Sequence, residues 1–255
     1  MKKSFIYKGF LYEFDYDNMN MPYFDLTFIK NLHVVAGMVA ICAQRLINKK
    51  ILDTPISIDT VPEKYKAGAT DIPEIFVELS TKMIHKNSDA EMTPGIPGQY
   101  KISLAADQSI IQNMAESAFV IIMHEVVHVF QHQNGIRFTN KYTLPDKTIN
   151  MEKYFNSQYE RHALMMSIIS YLTYKPSRLQ NAKKLSYASF VEVMLLYNGI
   201  GLNNEKVKKA IVGKERDTNS LLREFEPNKC EYSKILKEIY DKLKAGYFDS
   251  MHNQI

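Results

Sequence analysis

Apolar and polar residues alternate with two different periods along this chain, and the period changes part-way through. The segment from Phe5 to Asp15 is rich in aromatic and β-branched residues and reads as a strand or hairpin. From Leu26 to Ile51 the apolar residues Ile29, Leu32, Val35, Met38, Val39, Cys42 and Leu46 recur at helical spacing. Pro55 to Asp59 alternates as a strand does, and Glu74 to Ser80 is another strand, starting after Pro73. A turn is marked from Pro94 to Gly98, and Gln99 to Leu104 follows as a further strand. A helix then begins somewhere between Gln108 and Ala115. It is apolar nearly all round from Ala118 to Phe130, the pattern of a buried helix, and should stop near Asn134 and Gly135.

Beyond an irregular stretch from Ile136 to Thr148 the periodicity is helical. Asn150 is a candidate N-cap for a helix running to about Lys175, before Pro176. Further helices are expected at about 184–198, 204–212, 217–225 and 231–246, the last with Ile235, Ile239 and Leu243 on its apolar face. There is no internal repeat. The pattern predicts an α+β architecture in one domain over 1–255. An α/β subdomain 1–135 and a helical subdomain 136–255 should flank a cleft, with the apolar helix at its edge.

Composition narrows the function classes. With 255 residues, 45% hydrophobic and 24% charged, the chain has the balance of a globular protein with a sizeable core. The net charge is only +4, and lysines are interleaved with acids, which argues against a nucleic-acid surface. No apolar run reaches the length of a membrane span, and Ser4 to Lys8 interrupts the N-terminus too early for a signal peptide. The expected location is the cytoplasm, with export lacking a cleaved signal compatible with the same features. Cys42 and Cys230 form no C-x-x-C pair, so neither a disulfide framework nor a cysteine nucleophile is expected.

The candidate chemistry sits in the apolar helix. His124, Glu125, Val126, Val127 and His128 form the pattern H-E-x-x-H. Residues four apart share a helix face, so both imidazoles can meet one metal ion, while Glu125 reaches a water beside it as general base. Three polar residues inside an apolar helix need partners, and a metal supplies one. A catalytic zinc takes three protein ligands and leaves a position for water. His132 continues the spacing, but three histidines along one helix span on the order of 12 Å and cannot share an ion. The remaining candidates lie on the next helix, in the segment from Asn156 to Ala163. They are Glu160 and, two residues on and on a different face, His162.

At these residues the chain resembles the zincin metallopeptidases, and within them the gluzincins, whose third ligand is a glutamate in a downstream E-x-x-A. Glu160 to Ala163 has that form, and His128 to Gln131 is similar to short bacterial zincins that read H-E-x-x-H-x-x-Q. The order of strands and helices before the motif is also similar to the zincin N-terminal subdomain. The chain departs from many gluzincins in carrying Leu164 where they place an aspartate that supports a zinc histidine. The metzincin pattern fails because its glycine and third histidine fall on Gln131 and Asn134.

The resemblance implies one Zn2+ per chain held by His124, His128 and Glu160, Glu125 as general base, and peptide-bond hydrolysis of a protein or peptide substrate. It also implies a donor that stabilises the oxyanion, for which Tyr154, Tyr159 and His162 are candidates, with Tyr171 and Tyr174 on the same helix. Zincins pair an extended substrate with an edge strand before the motif helix. That role is expected of Gln99 to Leu104, including Tyr100, Ile102, Ser103 and Leu104. Two other readings share these residues: an amide hydrolase acting on a non-peptide substrate, and a zincin-like binding module without catalysis. Retention of His124, Glu125 and His128 disfavours the last.

Overall fold

The structure is a computed structural model that describes residues 2–7, 10–15, 26–70, 72–85, 88–96, 98–114, 116–133, 145–147, 157–197 and 231–249. The expected hairpin is present: β1 (Lys2–Tyr7) and β2 (Phe10–Asp15) pair antiparallel with Tyr7 opposite Phe10. The first helical pattern forms α1 (Leu26–Lys49), and all seven of its spaced apolar positions are buried. The alternation at residues 55–59 yields only a two-residue strand, β3 (Ile56–Ser57), followed by a 3-10 turn at Ile58–Thr60. Ser57 caps that turn by accepting from the Asp59 N–H, which ends the extended run early.

Three longer strands follow: β4 (Glu74–Ser80), β5 (Ala90–Pro94) and β6 (Gln99–Ala105). With β3 they make a mixed sheet of order β3-β4-β6-β5, in which only β4 and β6 run parallel. The periodicity reading passed over β5, whose five residues include Ala90, Glu91 and Pro94, all poorly represented in strands. Its turn into β6 is closed by Gly95 N–H donating to Gln99 C=O at 2.9 Å, with Gly98 in the left-handed region at φ 88° that favours glycine.

Strand order corrects one expectation. The segment Gln99 to Leu104, with Tyr100, Ile102, Ser103 and Leu104, is not an edge. As β6 it is paired on both sides, Ile102 lying opposite Val77 of β4 and Met92 of β5. Its backbone groups are consumed by the two ladders, so it has none to offer a further strand. Among the described residues the edge beside the motif helix is β5.

One sheet face carries Ile75, Val77, Leu79, Ala90, Met92, Tyr100, Ile102 and Leu104 into the core, against α1 and the motif helix. On the other face Glu78 accepts from Lys101 Nζ at 2.8 Å and from Ser103 Oγ at 2.7 Å, so its buried carboxylate is satisfied. After β6 a short helix, α2 (Ser109–Gln112), ends near Met114, whose φ of 43° breaks the helical path. The motif helix α3 is described from Glu116 to Gln133, and the expected stop at Asn134 and Gly135 lies outside the described residues.

The next helix, α4 (Gln158–Thr173), runs antiparallel to α3. Phe119 near the start of α3 meets Tyr174 just past the end of α4 at 5.2 Å between rings, whereas Gln131 near the end of α3 bonds Tyr159 and His162 at the start of α4. His33 of α1 joins the same bundle by donating from Nε2 to the Ser170 carbonyl at 2.9 Å. Pro176 does not merely end a helix: it opens α5 (Pro176–Lys184), which the sequence pattern missed, because the proline ring suits the first helical position. α6 (Tyr187–Tyr197) and α7 (Glu231–Lys244) fall in expected segments; Ile239 and Leu243 are buried as expected, Leu236 is buried beside them, and the side chain of Ile235 lies outside what the structure describes. The helix expected to start at Asn150 instead begins after Ser157, whose extended backbone (φ -70°, ψ 123°) interrupts any helical path before Gln158. Asn150 itself, Tyr154 and the helices expected at 204–212 and 217–225 lie outside the described residues. The result is an α+β fold with a small four-stranded mixed sheet and several helices. No described helix is long and apolar enough to cross a membrane.

The weight borne by α3 can be measured at Phe130. Its ring is 2% exposed and packs edge-on against Phe28 of α1 at 5.4 Å. Phe130→Ala should cost about 3–5 kcal/mol of stability, read as a shifted urea midpoint.

Candidate metal centre

His124, Glu125 and His128 lie in the interior stretch of α3, where every side chain from Val120 to Gln131 is buried. The helix itself sets the first part of the geometry. Four residues of rise bring His124 and His128 onto one face, with ring centroids 4.5 Å apart and planes at 89°. Their Nε2 atoms approach to 3.0 Å. Into the same point α4 brings Glu160, whose Oε2 lies 3.1 Å from His124 Nε2 and 3.2 Å from His128 Nε2. Glu160 is 2% exposed. Burial alone would raise its pKa, but the charges and hydrogen bonds of His128 and His124 outweigh it and hold the carboxyl well below the usual carboxylate range.

Three lone-pair-bearing atoms from two helices therefore converge on one point, an arrangement able to hold a metal ion. The two candidates for the third position are separated by this packing. Glu160 joins the cluster, and His162 does not; its Nδ1 faces the Gln131 amide nitrogen at 2.8 Å. Burial, together with the His128 charge, pushes the His162 pKa down to about 4, so this imidazole is neutral near pH 7. Tyr159 lies flat on His128, with ring centroids 4.1 Å apart and planes at 2°. His132 stays away from the cluster, its ring edge-on to Tyr100 at 5.6 Å.

Glu125, the residue after His124 in α3, is likewise buried. Burial pushes its pKa up to about 7; the His124 charge opposes this, the Glu160 and Glu91 charges add to it, and a hydrogen bond from the Met92 N–H opposes it. The Met92 bond follows from sheet register. In the β5–β6 pair, Gly95 N–H bonds Gln99 C=O and Ala105 N–H bonds Asp89 C=O, so bonded pairs fall at residues 89, 91, 93 and 95. The backbone groups of Ala90, Met92 and Pro94 consequently point outward from the sheet. Of these, Ala90 C=O accepts from Ser88 Oγ, Met92 N–H goes to Glu125, and Pro94 has no N–H. The carbonyls of Met92 and Pro94 and the N–H of Ala90 also face out from this edge.

Residues without a sequence signal complete the surroundings. Glu91 of β5 accepts from the Ile84 N–H at 2.8 Å, the His85 N–H at 2.6 Å and the His85 Nδ1–H at 2.8 Å, pinning the β4–β5 loop to the sheet edge. The hydrogen bond to Glu91 raises the His85 pKa against the opposing effect of burial, and the charges of Glu91, Glu160 and Glu125 raise it further. His85 and Glu91 are six residues apart across a loop, a spacing that no helical or strand period singles out. Gln131 differs from them in closing the H-E-x-x-H-x-x-Q pattern, as the third residue after His128 on the same helix face. Cys42 is fully buried and burial raises its thiol pKa, consistent with a core residue and not a nucleophile. Cys230 lies outside the described residues.

No protein-family model, curated protein or solved structure matches this chain.

The His85–Glu91 pair gives a pH signature. A histidine whose folded pKa is raised contributes stability that is fully present below its unfolded value of about 6.5 and disappears as pH rises through the folded value. The stability difference between the parent chain and His85→Gln should therefore be largest near pH 6 and shrink on the alkaline side, by urea unfolding of metal-free protein. A difference that grows with pH would contradict the pairing.

Proposed function

We propose that this protein is a zinc-dependent metallopeptidase of the gluzincin type, with His124, His128 and Glu160 as zinc ligands and Glu125 as general base. The observation that carries the reading is the convergence of three ligand atoms, 3.0 to 3.2 Å apart, immediately beside a buried carboxylate. A tetrahedral zinc with bonds of about 2.0–2.1 Å places neighbouring ligand atoms about 3.3 Å apart. The cluster thus has the size of a zinc site with little adjustment, and two imidazoles with one carboxylate are a donor set used by catalytic zinc. When bound, zinc polarises a substrate carbonyl and makes water acidic enough to ionise near neutral pH.

The chain's own residues account for the rest. With its pKa near 7, Glu125 can take a proton from water at neutral pH and return it to the departing amine, because a base poised near the working pH does both. The Met92 N–H faces the carboxylate from the edge strand and favours its ionised form. The outward carbonyls of Met92 and Pro94 can accept N–H groups from an extended peptide laid along β5, in the place that sequence reasoning had given to β6. Depth of burial keeps bulk water out, so charges inside the site interact strongly.

The reading is tested with purified chain loaded with zinc, bound metal being measured after dialysis and cleavage of a denatured protein mixture followed by mass spectrometry. Glu125→Gln should keep its zinc and lose turnover by about 10²–10⁴-fold. Glu160→Ala should lose more affinity for zinc than the roughly 10–100-fold typical of an outer partner. Undiminished cleavage by Glu125→Gln, or a parent chain that takes up no zinc, would overturn the assignment.

A further inference from the structure

The Gln131 amide lies at the meeting point of α3 and α4 and is 3% exposed. Its Oε1 is 2.7 Å from His128 Nδ1, and its Nε2 is 3.0 Å from the Tyr159 carbonyl and 2.8 Å from His162 Nδ1. These contacts fix the orientation of the amide and place a proton on His128 Nδ1. A carbonyl only accepts, so the Gln131 nitrogen must face Tyr159, and its second N–H then donates to His162 Nδ1, which must carry a lone pair. The Gln131 oxygen, left facing His128, accepts from an Nδ1–H. In a neutral imidazole with its proton on Nδ1, Nε2 is bare. That is the atom aimed at His124 Nε2 and Glu160 Oε2.

We infer that Gln131 is a positioning residue that locks His128 in its Nδ1–H tautomer and clasps the two metal-bearing helices together; its metal role rests on the proposed zinc site. One amide performs both tasks. Through its oxygen it orients a ligand of α3, and through its nitrogen it holds the carbonyl of Tyr159, the residue immediately before the ligand Glu160 on α4. The Tyr159 ring stacked on His128 closes the same unit, so the imidazole is restrained at its edge and on its face. Leu164 is buried and apolar, and offers no such bond from α4. The support for a zinc histidine comes instead from three residues further along the motif helix. His162 is then the acceptor that fills the last valence of the amide, which explains why this second imidazole of α4 faces Gln131 and not the metal cluster.

The test uses the full chain and two variants, Gln131→Met, which keeps the side-chain length and removes all three bonds, and Gln131→Glu, which keeps an acceptor for His128. Three readouts are compared: zinc affinity by competition with a chromophoric chelator, the His128 tautomer by ¹⁵N imidazole NMR of metal-free protein, and the thermal midpoint. The parent should show the Nδ1–H tautomer. Gln131→Met should lose zinc affinity by about 10–100-fold and give mixed tautomers, while Gln131→Glu retains the Nδ1–H form. Parent-like affinity and an unchanged tautomer in Gln131→Met would overturn the inference. If Gln131→Met does not fold, an Nε2–H tautomer for His128 in the parent or in Gln131→Glu overturns it equally. A parent that binds no zinc would defeat the proposed function, but the metal-free tautomer still decides whether Gln131 orients His128.

Discussion

The cost of placing ionisable groups inside an apolar helix organises this molecule. His124, Glu125, His128 and Glu160 are all under 9% exposed, surrounded by Val120, Ile122, Met123, Val126, Val127 and Val129. Polar groups taken out of water must be compensated, and a charge without a partner is especially unfavourable. Each of these four groups is accordingly met by another: Glu160 by both histidines, Glu125 by a backbone N–H of the sheet edge, and His128 by an amide. Helix α3 cannot be seated without α4 on one side and β5 on the other. The packing of three elements and the chemistry of the centre are therefore one constraint.

That constraint also separates the two acids. Glu160 and Glu125 come from adjoining helices and share the same interior, yet their proton affinities are driven in opposite directions. The paired imidazoles hold Glu160 ionised, whereas burial beside other acids pushes Glu125 up to about 7. One carboxylate is suited to ligate a cation and the other to carry a proton, a division of labour set by environment and not by residue type. A similar logic governs the imidazoles. His128 presents Nε2 to the cluster because Nδ1 is engaged, His162 is kept neutral by burial, and His85 is drawn toward its charged form by Glu91.

The sheet edge connects the centre to the surface. Because bonded pairs alternate along β5 and β6, every second residue of β5 turns its backbone outward, and Met92 lies level with Glu125. An unprotected edge invites uncontrolled strand addition. Here Pro94 removes one donor, the Met92 N–H faces Glu125 and Ser88 covers a carbonyl, leaving two acceptors and the Ala90 N–H along this edge.

Local physics carried much of the site into the sequence. A repeat of 3.6 residues places His124 over His128 wherever the helix sits, and the unbroken apolar run around them announces burial. The same periodicity located α1, α3 and the helix over Glu231–Lys244, and the strand pattern after Pro73 located β4. Three things depended on contacts between distant segments. Glu160 and His162 were both open as the third ligand until antiparallel packing of α3 on α4 brought one to the paired histidines and the other to Gln131. The edge strand could not be read from Gln99 to Leu104, because a strand's periodicity is the same at an edge and in the middle. Its place between β4 and β5 is set by pairing across residues far apart in the chain. The role of Gln131 was likewise hidden, since an amide's hydrogen bonds are assigned only when every neighbour's donors and acceptors are in place. Spacing along one helix determines which residues can act together; the joining of helix to helix and strand to strand decides which of them do.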